Sequence, residues 1–118
     1  MIDVYMKDAD KLTKVELVDF GKFVAGQTEV RKTLVFEAKE GISDVALLLE
    51  TVQDGISVTF NGKGMVRGEP MALPTVRRDS TLLQGERSQN VELVIKSTDK
   101  VPGGVQPVKF KLTWLYPA

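Results

Sequence analysis

The chain of 118 residues contains no histidine and no cysteine. Without histidine it lacks the commonest general acid–base group, the commonest transition-metal ligand and the base of a Ser or Cys hydrolase dyad or triad. Without cysteine it can form no disulfide, offer no thiolate nucleophile and hold no Cys-based zinc, haem or iron–sulfur centre. Cysteine usage therefore points to neither an oxidising nor a reducing compartment. A long apolar run is also missing: the longest, residues 45–49, is far short of the roughly 20 residues that span a bilayer. So is an excess of one charge. Sixteen Lys and Arg balance sixteen Asp and Glu, so no overall field steers the chain toward nucleic acid or an anionic membrane. The opening Met1-Ile2-Asp3-Val4-Tyr5-Met6-Lys7-Asp8 carries charges where a signal peptide needs about 7 to 15 consecutive apolar residues. A soluble product, made and folded in the cytoplasm, is the expectation.

What is present is the pattern of one all-β domain. A chain of this length buries roughly two thirds of its unfolded surface, enough for a core without metal or disulfide. Apolar residues recur with a period of two in short segments bounded by Gly, Pro, Asn or Asp, as half-buried strands require. The pattern is clearest where Val108, Phe110, Leu112, Trp114 and Tyr116 alternate with Lys109, Lys111, Thr113 and Leu115. Further inward sets are Val91, Leu93 and Ile95; Leu34, Phe36 and Ala38; Val45, Leu47 and Leu49; and Ile56, Val58 and Phe60. Segment 16–20 reads as an earlier edge strand ending at Gly21, and Pro102-Gly103-Gly104 as the turn before the last strand. Turns every 10 to 15 residues or so are the spacing of a sandwich or barrel. Residues 61–82 break the pattern and read as a long loop or irregular hairpin, or as a crossover plus an edge strand over 75–83. The expected fold is an immunoglobulin-like antiparallel β-sandwich of about seven strands, spanning 15–118. Residues 1–14 form either an N-terminal arm or a first edge strand.

The segment Val18-Asp19-Phe20-Gly21-Lys22-Phe23-Val24-Ala25-Gly26-Gln27-Thr28, followed by the strand over 30–38, resembles the opening of Hydin-like and related ASH-type immunoglobulin-like domains. Leu83-Gln84-Gly85-Glu86, before the strand over 91–95, is similar to the family's Pro-Gly-Glu turn, with Gln84 in place of Pro. The resemblance spans about residues 16–116 and implies a fold, because its motifs are turn glycines and inward apolar positions. Sandwiches of this kind serve as scaffolding modules in large proteins and as accessory domains on phage particles.

Remaining motifs give no chemistry. Gly62-Lys63-Gly64 with Gly68 lacks the Gly-Lys-[Ser/Thr] signature of a phosphate loop, and no helical pattern follows it. Asp8 and Asp10 share the spacing of a calcium loop without its Gly and distal Glu. No carboxylate spacing marks a glycosidase pair. The chain is thus expected to be no enzyme and to carry no cofactor or metal. Lys63, Arg67, Arg77 and Arg78 against Glu69 and Asp79 leave a small positive surplus over 61–80, with no aromatic residue among them to stack bases. Trp114 and Tyr116 offer a sugar-stacking platform in principle, but they share the inward face with Phe110 and Leu112 and read as core.

The expected function is a non-catalytic structural or interaction protein, a capsid decoration or tail component of a bacteriophage virion, docking through its N-terminal arm and loops. Candidate contacts are Val4, Tyr5 and Met6 in the arm, Phe23 between Gly21 and Gly26, and Lys63, Met65, Arg67, Arg77 and Arg78 in the 61–82 segment. Partners would be capsid or tail proteins or further copies of the chain, with no strong nucleic-acid signal and no membrane. The location would be the virion, or otherwise the cytoplasm. A carbohydrate- or small-ligand-binding module using Phe23 and the 61–82 loop is the alternative, and an intracellular ASH-type adaptor for an extended peptide is the second.

Overall fold

The structure, a computed structural model, describes residues 1–17, 28–98 and 108–116. Its strands are β1 (Ile2–Asp8), β2 (Lys11–Val15), β3 (Glu29–Ala38), β4 (Ser43–Val52), β5 (Ile56–Phe60), β6 (Lys63–Gly64), β7 (Met71–Ala72), β8 (Val91–Ser97) and β9 (Val108–Leu115). They form two antiparallel sheets. One has six strands in the order β2-β1-β3-β8-β5-β6, and the other three in the order β7-β4-β9. The expected antiparallel β-sandwich is what forms, with nine strands among the described residues and no helix long and apolar enough to cross a membrane.

The alternation sets the register. Leu34, Phe36, Val91 and Leu93 of the larger sheet face Val45, Leu47 and Leu49 of the smaller one, all essentially without solvent contact. Two central strands bury residues on their other face as well. Val35 and Val94 are 6% exposed because Tyr5 stands opposite the first and Arg31 opposite the second, and long side chains lay their stems over apolar neighbours.

The N-terminal residues are no free arm. β1 pairs along β3 from Ile2↔Ala38 to Met6↔Leu34, and Ala9, at φ 54°, turns the chain into β2. Of the expected edge strand over 16–20, Glu16 and Leu17 lie outside any strand and the rest falls outside the described residues, as do Phe23 and the turn Pro102-Gly103-Gly104.

Residues 61–82 do cross from one sheet to the other, after a short β5–β6 hairpin, but no edge strand forms over 75–83. Asp79 and Ser80 adopt positive φ (54° and 48°), which breaks extended backbone, and Arg78–Ser80 forms a single 3-10 turn. Residues 61–90 form a belt laced across both sheets. Its backbone amides donate in turn to β5 (Met65 N to Val58 O, 2.8 Å), to β4 (Gly68 N to Leu49 O, 3.0 Å, and Leu73 N to Val45 O, 2.9 Å) and to β3 (Gly85 N to Ala38 O, 2.8 Å, and Ser88 N to Phe36 O, 2.7 Å). Met65, Leu73 and Leu82 plug into the core, at 9, 2 and 0% exposure. The sequence 83–86 makes the turn that its residues imply: Gly85 takes φ 79° and Glu86 N donates to Leu83 O.

Candidate functional site

Of the strands at the sheet edges among the described residues, β2, β6, β7 and β9, the longest is β9. Among the described residues it is bonded on one side only, to β4. Its inward residues Phe110, Leu112 and Trp114 touch the core yet stay half-buried, whereas their counterparts on β3 and β4 are sealed. Lys111, Leu112, Thr113, Trp114 and Tyr116 line a shallow groove of about 350 Å³. Because this run takes residues from both faces of β9, the groove follows the strand's edge. Lys109 and Lys111 project from the solvent face and form no ion pair among the described residues.

Tyr116 corrects the reading of it as core. It lies past the end of β9 and is 58% exposed, with its hydroxyl donating to Glu40 Oε1 at 3.1 Å. Its ring stands edge-on to Trp114 at 85°, 6.4 Å between centroids, so the pair does not present one flat double face of the kind on which a sugar would stack.

β9 runs into one end of the sandwich, built around the β3–β4 turn. Lys39 N donates to Met1 O, Ile42 and Leu82 exchange two backbone bonds of 2.9 Å, and Ala38 N donates to Glu86 O. Five of the six large apolar side chains most exposed among the described residues belong to segments meeting here: Met1, Val76, Leu83, Leu115 and Tyr116. The sixth, Val66, lies where the belt passes from β5 to β4. Charges at this end are largely neutralised from within. The terminal ammonium, 2.9 Å away, and the Tyr116 hydroxyl hold the Glu40 carboxyl below its ordinary range. Arg77 Nε donates to both oxygens of Glu86 at 3.0 and 3.1 Å, and with the Leu83 amide it lowers that carboxyl too. Apolar side chains among prepaid charges are the composition of an interface centre, where desolvation of unpaired ions would be costly.

Of the expected contact residues that are described, the structure gathers only Arg77 and Arg78 at this end. Val4 and Met65 are core residues, 5 and 9% exposed, and give a partner nothing to touch. Met6 is half-buried against the core. Lys63 is exposed on β6, and Arg67 donates to Glu50 O at 3.1 Å. Sequence reasoning missed Met1, Val76, Leu83 and Leu115. The one available signal was Leu115, a large apolar residue on the otherwise polar face of its strand.

Tyr5 belongs to a separate network on the outer face of the larger sheet. Arg87 stacks its guanidinium 5.7 Å from the Tyr5 ring centre and donates to Glu37 at 2.8 Å. Lys39 bridges Glu37 (3.6 Å) and the nearly buried Asp3 (2.7 Å), which Lys14 also approaches at 3.5 Å. The hydrogen bond from Lys39 chiefly lowers the Asp3 carboxyl and raises Lys39 in return, while Arg87 chiefly lowers Glu37. Carboxyls depressed on folding stabilise the native state above the ordinary carboxylate range and lose that contribution as pH falls through their lower native values. The melting temperature should therefore drop on acidification below the ordinary carboxylate range, and Asp3→Asn should flatten that drop. Calorimetry across an acid series would show both.

Among the described residues no three His, Cys, Asp or Glu side chains converge to hold a metal ion. No protein-family model, curated protein or solved structure matches the chain.

Proposed function

We propose that the chain is a non-catalytic assembly module that docks by strand addition: an extended segment of a partner protein pairs with the edge of β9, and the partner's body rests on the apolar end beyond it. The carrying observation is β9 itself, bonded on one side among the described residues, with half-buried inward residues and a groove along its edge. An added strand gains backbone hydrogen bonds and covers Phe110, Leu112 and Trp114 with its own alternate apolar residues. The residues between them would face Lys109 and Lys111, so an alternating apolar and acidic segment fits best. A subunit borne on a bacteriophage particle, the setting expected from the sequence, works in this way, through docking and repetition.

The test is a photo-crosslinking residue at Thr113 or, as a control remote from β9, at Lys63, in the cells that make the chain. Crosslinks from 113 should map to one continuous stretch of a second polypeptide and weaken with Lys111→Glu. Equal yields from both positions would sink the proposal. So would crosslinks from 113 that return to the chain's own residues, since the edge would then be filled from within.

A further inference from the structure

We infer that Asn61 is a site of spontaneous covalent modification, at which folding sets the rate and the product decides whether the β5–β6 hairpin survives. Asn61 and Gly62 form the two-residue loop between Phe60 and Lys63, with φ of 48° and 84°. Positive φ at both positions marks the type I′ hairpin turn for which Asn-Gly is the preferred pair. Asn61 has a second duty. Its amide donates to Glu92 O at 2.9 Å, and its side-chain Oδ1 accepts from Glu92 N at 2.7 Å. The side chain thus completes the β5–β8 ladder where the backbone turns away.

The same dipeptide is chemically the most exposed in the chain. With no side chain on Gly62, and nothing within 4 Å of where its Cβ would be, the Gly62 backbone nitrogen meets no local steric barrier in attacking Asn61 Cγ. The nitrogen loses its proton to solvent base, a Cγ–N bond forms, the Cγ–Nδ2 bond breaks and ammonia leaves, giving a five-membered succinimide. Water then opens the ring at one carbonyl to give aspartate, or at the other to give isoaspartate. The net change is one water gained and one ammonia lost, with no redox partner.

Folding opposes the first step. Cγ is bonded to Oδ1, so bringing Cγ onto the Gly62 nitrogen rotates Oδ1 off Glu92 N, and ring closure has to wait for the hairpin to open locally. The two products then differ. Aspartate keeps an oxygen acceptor for Glu92 N and an unchanged backbone. Isoaspartate adds a carbon to the main chain of a two-residue loop, whose geometry tolerates no insertion. β6 then leaves β5, and the bond from Met65 N to Val58 O at the head of the belt is lost with it.

The experiment incubates the full chain, the full chain in denaturant and a synthetic peptide of residues 57–66 in one mildly alkaline buffer, and maps isoaspartate by mass spectrometry. Modification should fall on Asn61 and not on Asn90, whose neighbour Val91 hinders attack. The native rate should lie at least about tenfold below the peptide rate, with denaturant removing the difference. In hydrogen exchange the Met65 amide should be as protected in Asn61→Asp as in the original chain, and unprotected in the purified isoaspartate form. Equal native and peptide rates would overturn the clamp, and undiminished Met65 protection in the isoaspartate form would overturn the consequence for the hairpin.

Discussion

Leu82→Ala is expected to lower the unfolding free energy by about 2–5 kcal/mol, the range for truncating a sealed core leucine. Leu82 is 0% exposed although it sits in a segment with almost no regular secondary structure. Its backbone is fixed to Ile42 by two hydrogen bonds of 2.9 Å, so it cannot move to fill the space its side chain leaves. Little relaxation places the cost toward the upper part of the range, with a fall of roughly 10 to 25 °C in Tm. Its neighbour Leu83 is 48% exposed, and Leu83→Ala should stay within about 0.5 kcal/mol of the original chain. Urea denaturation of the two variants side by side is the check. Similar midpoints would show that Leu82 contributes nothing to the core.

Ser88→Ala should cost about 1–3 kcal/mol for the loss of one oxygen atom. Ser88 Oγ accepts from the buried Phe36 amide at 3.0 Å and donates to Gln89 O at 2.9 Å, while Ser88 N donates to Phe36 O at 2.7 Å. Alanine would leave the Phe36 N–H without an acceptor in a place water does not reach, and the penalty is that of an unmade bond. Ser88→Thr keeps the hydroxyl and should recover most of the difference. Thermal unfolding of both variants measures it, and equal destabilisation by Ala and Thr would point to packing instead.

Strands β3, β4, β5, β8 and β9 were legible because each places several apolar residues at a spacing of two. The hairpin of β1 and β2 was less so: in Lys11-Leu12-Thr13-Lys14-Val15 the polar majority reflects an edge strand with little to bury. Alternation places Val35 and Val94 on the solvent face, yet neighbours on other strands cover them, which no single segment announces. The belt was illegible for a related reason. It is held mainly by backbone bonds to residues far along the chain, and backbone groups are the same in every sequence. Tyr116 kept the inward phase of β9, but phase does not say where a strand outruns the core. At the candidate surface, loop cations drew attention, whereas Arg77 and Arg67 are spent on bonds within the fold.

The belt has a consequence for how the two sheets sit against each other. Apolar burial has no direction, and two greasy faces can slide past one another at small loss of buried area. A strand of hydrogen-bonded attachments that visits β5, then β4, then β3 does not permit such sliding. Shifting one sheet by a single residue would break the belt's bonds to one side while leaving those to the other in place. The belt therefore acts as a lock on inter-sheet alignment. It keeps the smaller sheet, and β9 at its margin, at a fixed offset from the larger sheet.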